Sequence, residues 1–138
     1  MSHKFVDVPA WTNNYVSCAV NNGFVKGISE TEFGSDIPIK AEEYITMLLR
    51  VLNYKYDNGH FVWDEPWKLS DKIGLSEGIG NSKYFNRGDM VSLSYRVLST
   101  NRKNSPFSLY YYYFIDKQNP SGIIEDERFM SRKTNIFV

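Results

Sequence analysis

One cysteine, Cys18, and two histidines, His3 and His60, are all that the 138-residue chain offers as thiols and imidazoles. A lone cysteine forms no internal disulfide, and so sparse a set holds no multidentate zinc site. Cys18 is therefore expected to be a small buried apolar residue. Net charge is also missing, because sixteen Lys and Arg balance sixteen Asp and Glu. That balance removes the electrostatic footprint of a nucleic-acid binder. The short basic pairs Arg102-Lys103 and Arg132-Lys133 have the size of ordinary solvated surface. No stretch reaches the roughly 18–20 consecutive apolar residues of a membrane span. No basic segment leads into an apolar one as a signal peptide requires, so an extracellular role implies a processed chain, with Met1-Ser2-His3 an added leader.

Catalytic equipment is absent as well. There is no Ser-His-Asp set and no phosphate loop, and Gly78-Ile79-Gly80 lacks both a third glycine and a following helix. The chain is expected to be neither an enzyme nor dependent on a cofactor.

Aromatic residues, by contrast, are abundant. Ten Tyr and nine Phe within a composition that is 42% hydrophobic argue against disorder. The length suits one domain that buries about two-thirds of its unfolded surface. Within it, Tyr44–Leu52 (Y-I-T-M-L-L-R-V-L) returns 46 residues later as Met90–Leu98 (M-V-S-L-S-Y-R-V-L). Arg50/Arg96, Val51/Val97 and Leu52/Leu98 are identical pairs, and an acid precedes each copy, Glu43 and Asp89. Such a period is the mark of stacked units, none of which buries its apolar face alone. Arg50 and Arg96 are expected to make the same structural contact twice, near the negative ends of their helices.

Apolar periodicity predicts an all-α chain. Trp11, Tyr15, Val16, Ala19 and Val20 form one helical stripe, ended at Gly23. A second helix is expected from Pro38 or Ile39 to Leu52, with Glu42 and Glu43 in its first turn and apolar residues around most of its circumference. Asp64 is expected to cap a third helix running to Ile73, with Gly74 as its stop. A fourth covers Arg87–Leu98. Ser105-Pro106 opens a fifth reaching Asp116, although the run Tyr110–Tyr113 also carries strand propensity.

The order found twice is helix, glycine turn, loop with an apolar plug, then a helix opened by an acid. It resembles the S-layer homology (SLH) family of bacterial cell-surface proteins. Phe5, Asp7, Val8 and Trp11 match that family's F-x-D-V…W opening. Val16, Val20, Gly23, Phe24, Val25 and Gly27 match its glycine-turn segment, and Phe33, Ile39, Glu43 and Tyr44 its F-x-P-x-x-x-I-T-R-A-E-F segment. In the second unit Trp63, Gly74-Leu75 and Phe85-Asn86-Arg87-Gly88-Asp89-Met90 match at a shortened loop. A third unit begins near Pro106 and reaches Gly122-Ile123-Ile124, with Arg132 lying 45 residues beyond Arg87.

The resemblance implies tandem helix-loop-helix units packed around a central helical bundle. They comprise residues 1–54, 55–100, and 101–138 as a partial third unit or C-terminal extension. It also implies non-covalent anchoring to a bacterial cell wall, outside the cell, through a secondary wall polysaccharide, often pyruvylated. Expected partners are that glycan or a peptidoglycan-linked one, with self-association as the alternative and no nucleic acid or membrane span. The implied ligand residues are Asn86, Arg87 and Asp89 in the second unit, Lys40 and Glu43 in the first, Arg132, and the tryptophans Trp11 and Trp63. Arg87 leads them, since a first-turn arginine offers a planar fork to a carboxylate where the helix dipole adds attraction. Arg87 and Asp89 also fit a plain intrahelical pair, and both tryptophans also fit core anchors. The first unit departs at the decisive place, with Ala41 where the arginine is expected. Lys40 lies one residue earlier, about 100° around the helix, and offers a point charge only.

Overall fold

The computed structural model of the chain describes residues 2–116. The chain is mainly helical, and among the described residues extended pairing is confined to one antiparallel bridge between Asn101 and Ser108. A 3-10 turn at Ala10–Thr12 leads into α1 (Asn13–Asn21). There follow α2 (Ala41–Val51), α3 (Pro66–Lys72), α4 (Arg87–Ser99) and the single turn α5 (Leu109–Tyr111), which widens into a π turn over Tyr112–Asp116. Gly23 and Gly74, just past α1 and α3, take positive φ of 71° and 77°, the left-handed stop anticipated for them.

Helix starts depart from the sequence expectation where a backbone N–H finds a better acceptor. α2 opens at Ala41, not at Pro38 or Ile39, because Lys40 is extended and gives its N–H to the Glu43 carboxylate at 2.8 Å. The residue before α3 is Glu65, not Asp64, and no side chain caps it. Pro66 at the first position has no N–H to satisfy, so the loss there is small. α5 starts at Leu109, three residues beyond Pro106, with the Ser108 hydroxyl accepting from the Tyr111 N–H. The cause is a small extended loop over 101–108. Its ends are joined by Arg102 N–H to the Phe107 carbonyl (3.2 Å) and Leu109 N–H to the Thr100 carbonyl (2.9 Å). The tyrosine run is helical, as no neighbouring strand among the described residues is there to pair with it.

α2 is the centre of the molecule. Ile45, Leu48, Leu49 and Leu52 recur at the spacing of one helix face and are 0–7% exposed. They pack with Phe61, Leu75, Leu93, Val97 and Leu109 in one cluster. Each such side chain contributes about 1.5–3 kcal/mol on leaving water. α3 and the 3-10 turn Ile79–Asn81 close over α2, and α5 packs on α4.

The first forty residues stand apart from that core. α1 contributes only Ser17 to the buried set, while Trp11 and Tyr15 at the head of its stripe are 79% and 73% exposed. Trp11 is thus not a core anchor. Cys18 is exposed too, against the expectation of burial, since it lies off the Val16, Ala19, Val20 side of α1. The helix forms as expected, but its stripe is not covered: Val16, Ala19 and Val20 are half-buried, and among the described elements the main neighbour of α1 is its own leading turn.

Candidate functional site

The N-terminus of α4 gathers three of the expected ligand residues, and two of them are engaged in holding the helix. The Asn86 side-chain oxygen accepts from the N–H groups of Gly88 (2.8 Å) and Asp89 (3.2 Å), and the Asp89 carboxylate accepts from the Asn86 N–H (3.0 Å). This reciprocal capping box satisfies donors that a helix start otherwise leaves to water. Arg87 takes no part. It is exposed, has no carboxylate partner among the described residues, and sits where the cap leaves its guanidinium available.

Glu43 stands where Asp89 does in the other copy and repeats half of that box through Lys40 N–H. The Lys40 side chain contributes no capping bond. Tyr44 follows Glu43 directly; its ring lies 5.8 Å from Phe85, the residue before the α4 cap, and its hydroxyl bonds the Ser94 hydroxyl. The two helix starts therefore lie toward one end of the α2–α4 pair. Trp63 is 69% exposed, and neither it nor Trp11 makes a ring contact among the described residues. Arg132, with the Gly122-Ile123-Ile124 turn, lies outside the described residues.

The F-x-D-V opening has a clear physical role. The Asp7 carboxylate accepts from the N–H groups of Phe33 (2.7 Å), Gly34 (2.6 Å) and Ser35 (3.1 Å), clasping the loop against the N-terminal segment. The Phe33 plug meets the Phe5 ring at 5.4 Å. The backbone bond from Phe33, with those from Gly34 and Ser35, outweighs desolvation and holds the Asp7 carboxyl below its ordinary range. Gly27 completes the clasp, because a Cβ there would fall 2.3 Å from the Phe5 ring and 2.6 Å from the Glu32 carbonyl oxygen.

A second region was not anticipated. A half-open groove of about 880 Å³ runs between the turn after α3, the end of α4 and the loop that follows. Its walls include Tyr54, Glu77, Arg96, Asn101, Arg102 and Asn104. Arg96 reaches Glu77 at 2.7 Å, whereas Arg50, its counterpart in the first copy, makes no ion pair among the described residues. The expected repeated contact is therefore made once among the described residues, where the turn carrying Glu77 lies beside the last turn of α4. Arg102 lies with its guanidinium 3.6 Å from the centre of the Tyr112 ring, and its Nε is buried without an acceptor among the described residues. Burial raises the Tyr113 phenol above its ordinary range despite nearby Arg102. His60, whose Nδ1 accepts from the Lys55 N–H, is pushed down by desolvation and then by Lys103 and Lys55. Only the tyrosine run, placed to stack on an arginine, hinted from sequence that Arg102 was more than solvated charge.

No cluster of His, Cys, Asp and Glu among the described residues is arranged to hold a metal ion, and no described helix is long and apolar enough to cross a membrane. Comparison with protein-family models, curated proteins and solved structures finds no match.

Proposed function

We propose that the chain is a non-covalent anchoring module, built of SLH-like tandem units, that binds an anionic secondary polysaccharide of a bacterial cell wall outside the cell. The observation that carries this reading is the exposure of the tryptophan of each unit, Trp11 at 79% and Trp63 at 69%. An indole ring is a flat apolar surface with one polar edge, suited to the face of a sugar. Arg87 adds a cation that no carboxylate among the described residues pairs with, in the first turn of a thirteen-residue helix whose dipole favours anions. Neutral overall charge fits a ligand recognised locally rather than by a long-range field.

The test is retention on purified wall sacculi before and after removal of the secondary polymer. Loss of retention on stripped sacculi is expected; equal retention on both would sink the polysaccharide reading. Trp63→Ala and Arg87→Ala should each weaken retention with little change in melting temperature, since both side chains are exposed.

A second reading, self-association, draws on a different surface. Val91, Tyr95 and Leu98 form an exposed row on α4, at 69%, 62% and 38%. A sedimentation coefficient that rises with protein concentration, without any wall affinity, would favour it.

A further inference from the structure

We propose that the groove between the end of α4 and the loop over residues 100–106 binds a carboxylate-bearing, hydroxyl-rich small ligand, of the class of an acidic sugar, through Arg96 and Arg102. The assignment rests on reading the chain as a receptor for an acidic wall glycan, and it adds a second acid-binding position at the far end of α4 from Arg87. Charge is the first argument. Two arginines line the groove and share one carboxylate, because Glu77 pairs with Arg96 while Arg102 has no ion-pair partner among the described residues. A cation in a partly enclosed wall attracts an anion more strongly than one in open water.

Arg102 is also held ready. Stacking on Tyr112 fixes the plane of its guanidinium, so less side-chain freedom is lost when a planar acid docks against it. Its buried Nε–H lacks an acceptor among the described residues, a deficit that protein interiors rarely leave unmet and that a small adjustment around a bound carboxylate would relieve. Around the two arginines, Asn101 and Asn104 supply donors and acceptors for hydroxyls, and Tyr54 supplies a ring. The volume of about 880 Å³ lies within the range of small-ligand sites, with room for more than one sugar ring. Glu77 is the built-in competitor. It is 65% exposed in its pair with Arg96, so a ligand carboxylate displaces it at little cost.

The experiment follows the arginine Nε–Hε and backbone amide resonances of the ¹⁵N-labelled chain during titration with D-glucuronate and, separately, with D-glucose. Glucuronate at tens-of-millimolar concentration is expected to shift Arg96, Arg102 and the amides of residues 99–105, and glucose to leave them in place. No shift with glucuronate, or equal shifts with both sugars, overturns the proposal. Arg102→Gln should weaken glucuronate binding by about tenfold, the value of one charge-assisted contact. If that variant loses its native spectrum, Glu77→Gln decides instead. Removing the competing carboxylate from an exposed position should tighten binding several-fold, and unchanged or weaker binding counts against the groove. Failure of the groove and failure of the anchoring reading separate cleanly. Retention on sacculi that requires Arg87 and ignores Arg102→Gln sinks the groove alone, whereas glucuronate binding without any polymer-dependent retention sinks the anchoring reading and leaves the groove.

Discussion

Helices α2 and α4 share an acid-opened start and an identical Arg-Val-Leu ending, yet they present different faces to the core. Ile45, Leu49 and Leu52 are fully buried, while their counterparts 46 residues on, Val91, Tyr95 and Leu98, are 69%, 62% and 38% exposed. α4 buries Leu93 and Val97 instead, a face turned by about one residue, or roughly 100°. The difference lies in what each helix meets. α2 is covered by α3, by the Ile79–Asn81 turn and by α4, whereas α4 packs against α2 and the single turn α5. A repeated pattern therefore determines that a helix forms and how it starts; its neighbours determine which side goes inward.

The largest test of this contrast is a pair of truncations at equivalent positions. Leu49→Ala should destabilise the chain by about 2–5 kcal/mol in urea denaturation, the cost of a lost core side chain and the cavity left behind. Tyr95→Ala should stay within about 0.5 kcal/mol. Equal losses would show that the outer face of α4 is covered in solution, breaking the contrast in burial.

A smaller effect is expected at the helix starts, where the copies are alike in acid and unlike in cap. Asn86→Ala removes the acceptor for two N–H groups and should cost about 1 kcal/mol. Lys40→Ala should cost no more than a few tenths, because its side chain makes no capping bond. A large Lys40 effect would mean that the first copy closes its start by other means.

The most local effect concerns the loop before α2, which Asp7 holds from the N-terminal segment, whereas Asp71 of α3 holds the turn on the way to α4 through the Gly78 N–H and the Ser76 hydroxyl. The folded Asp7 pKa is depressed, so its clasp contributes fully above the unfolded value of about 3.9 and is lost as pH falls through the lower folded value. The amide shifts of Phe33 and Gly34 should hold constant above about pH 5 and move together in acid. Asp7→Asn should abolish that titration. Movement centred near neutral pH would assign the clasp to another group.

Much of the fold was legible along the chain. The 3.6-residue periods found α1 and α2, Pro66 and Gly74 bracketed α3, the 46-residue offset found α4 and the paired acids, and Gly23 and Gly74 marked the ends of α1 and α3. Burial was harder to read for Trp11 and Cys18, since a stripe shows which residues share a side without showing whether anything arrives to cover it. The groove was harder still. Tyr54, Glu77, Arg96 and Arg102 lie in four separate segments, each locally ordinary, and only their convergence gives them meaning. The start of α5 was misplaced because the bond between residues 100 and 109 outcompeted an early helical turn at Pro106.

One hydrogen bond of the core bears on the order in which the protein is made. The carbonyl of Leu52, at the end of α2, accepts from the N–H of Lys103 at 2.9 Å. A helix end needs such donors, and this one is synthesised fifty-one residues later. On the ribosome, the central helix therefore waits for the third segment before its last turn is sealed. A nascent chain stalled short of residue 103 should show that turn as the most protease-sensitive part of α2.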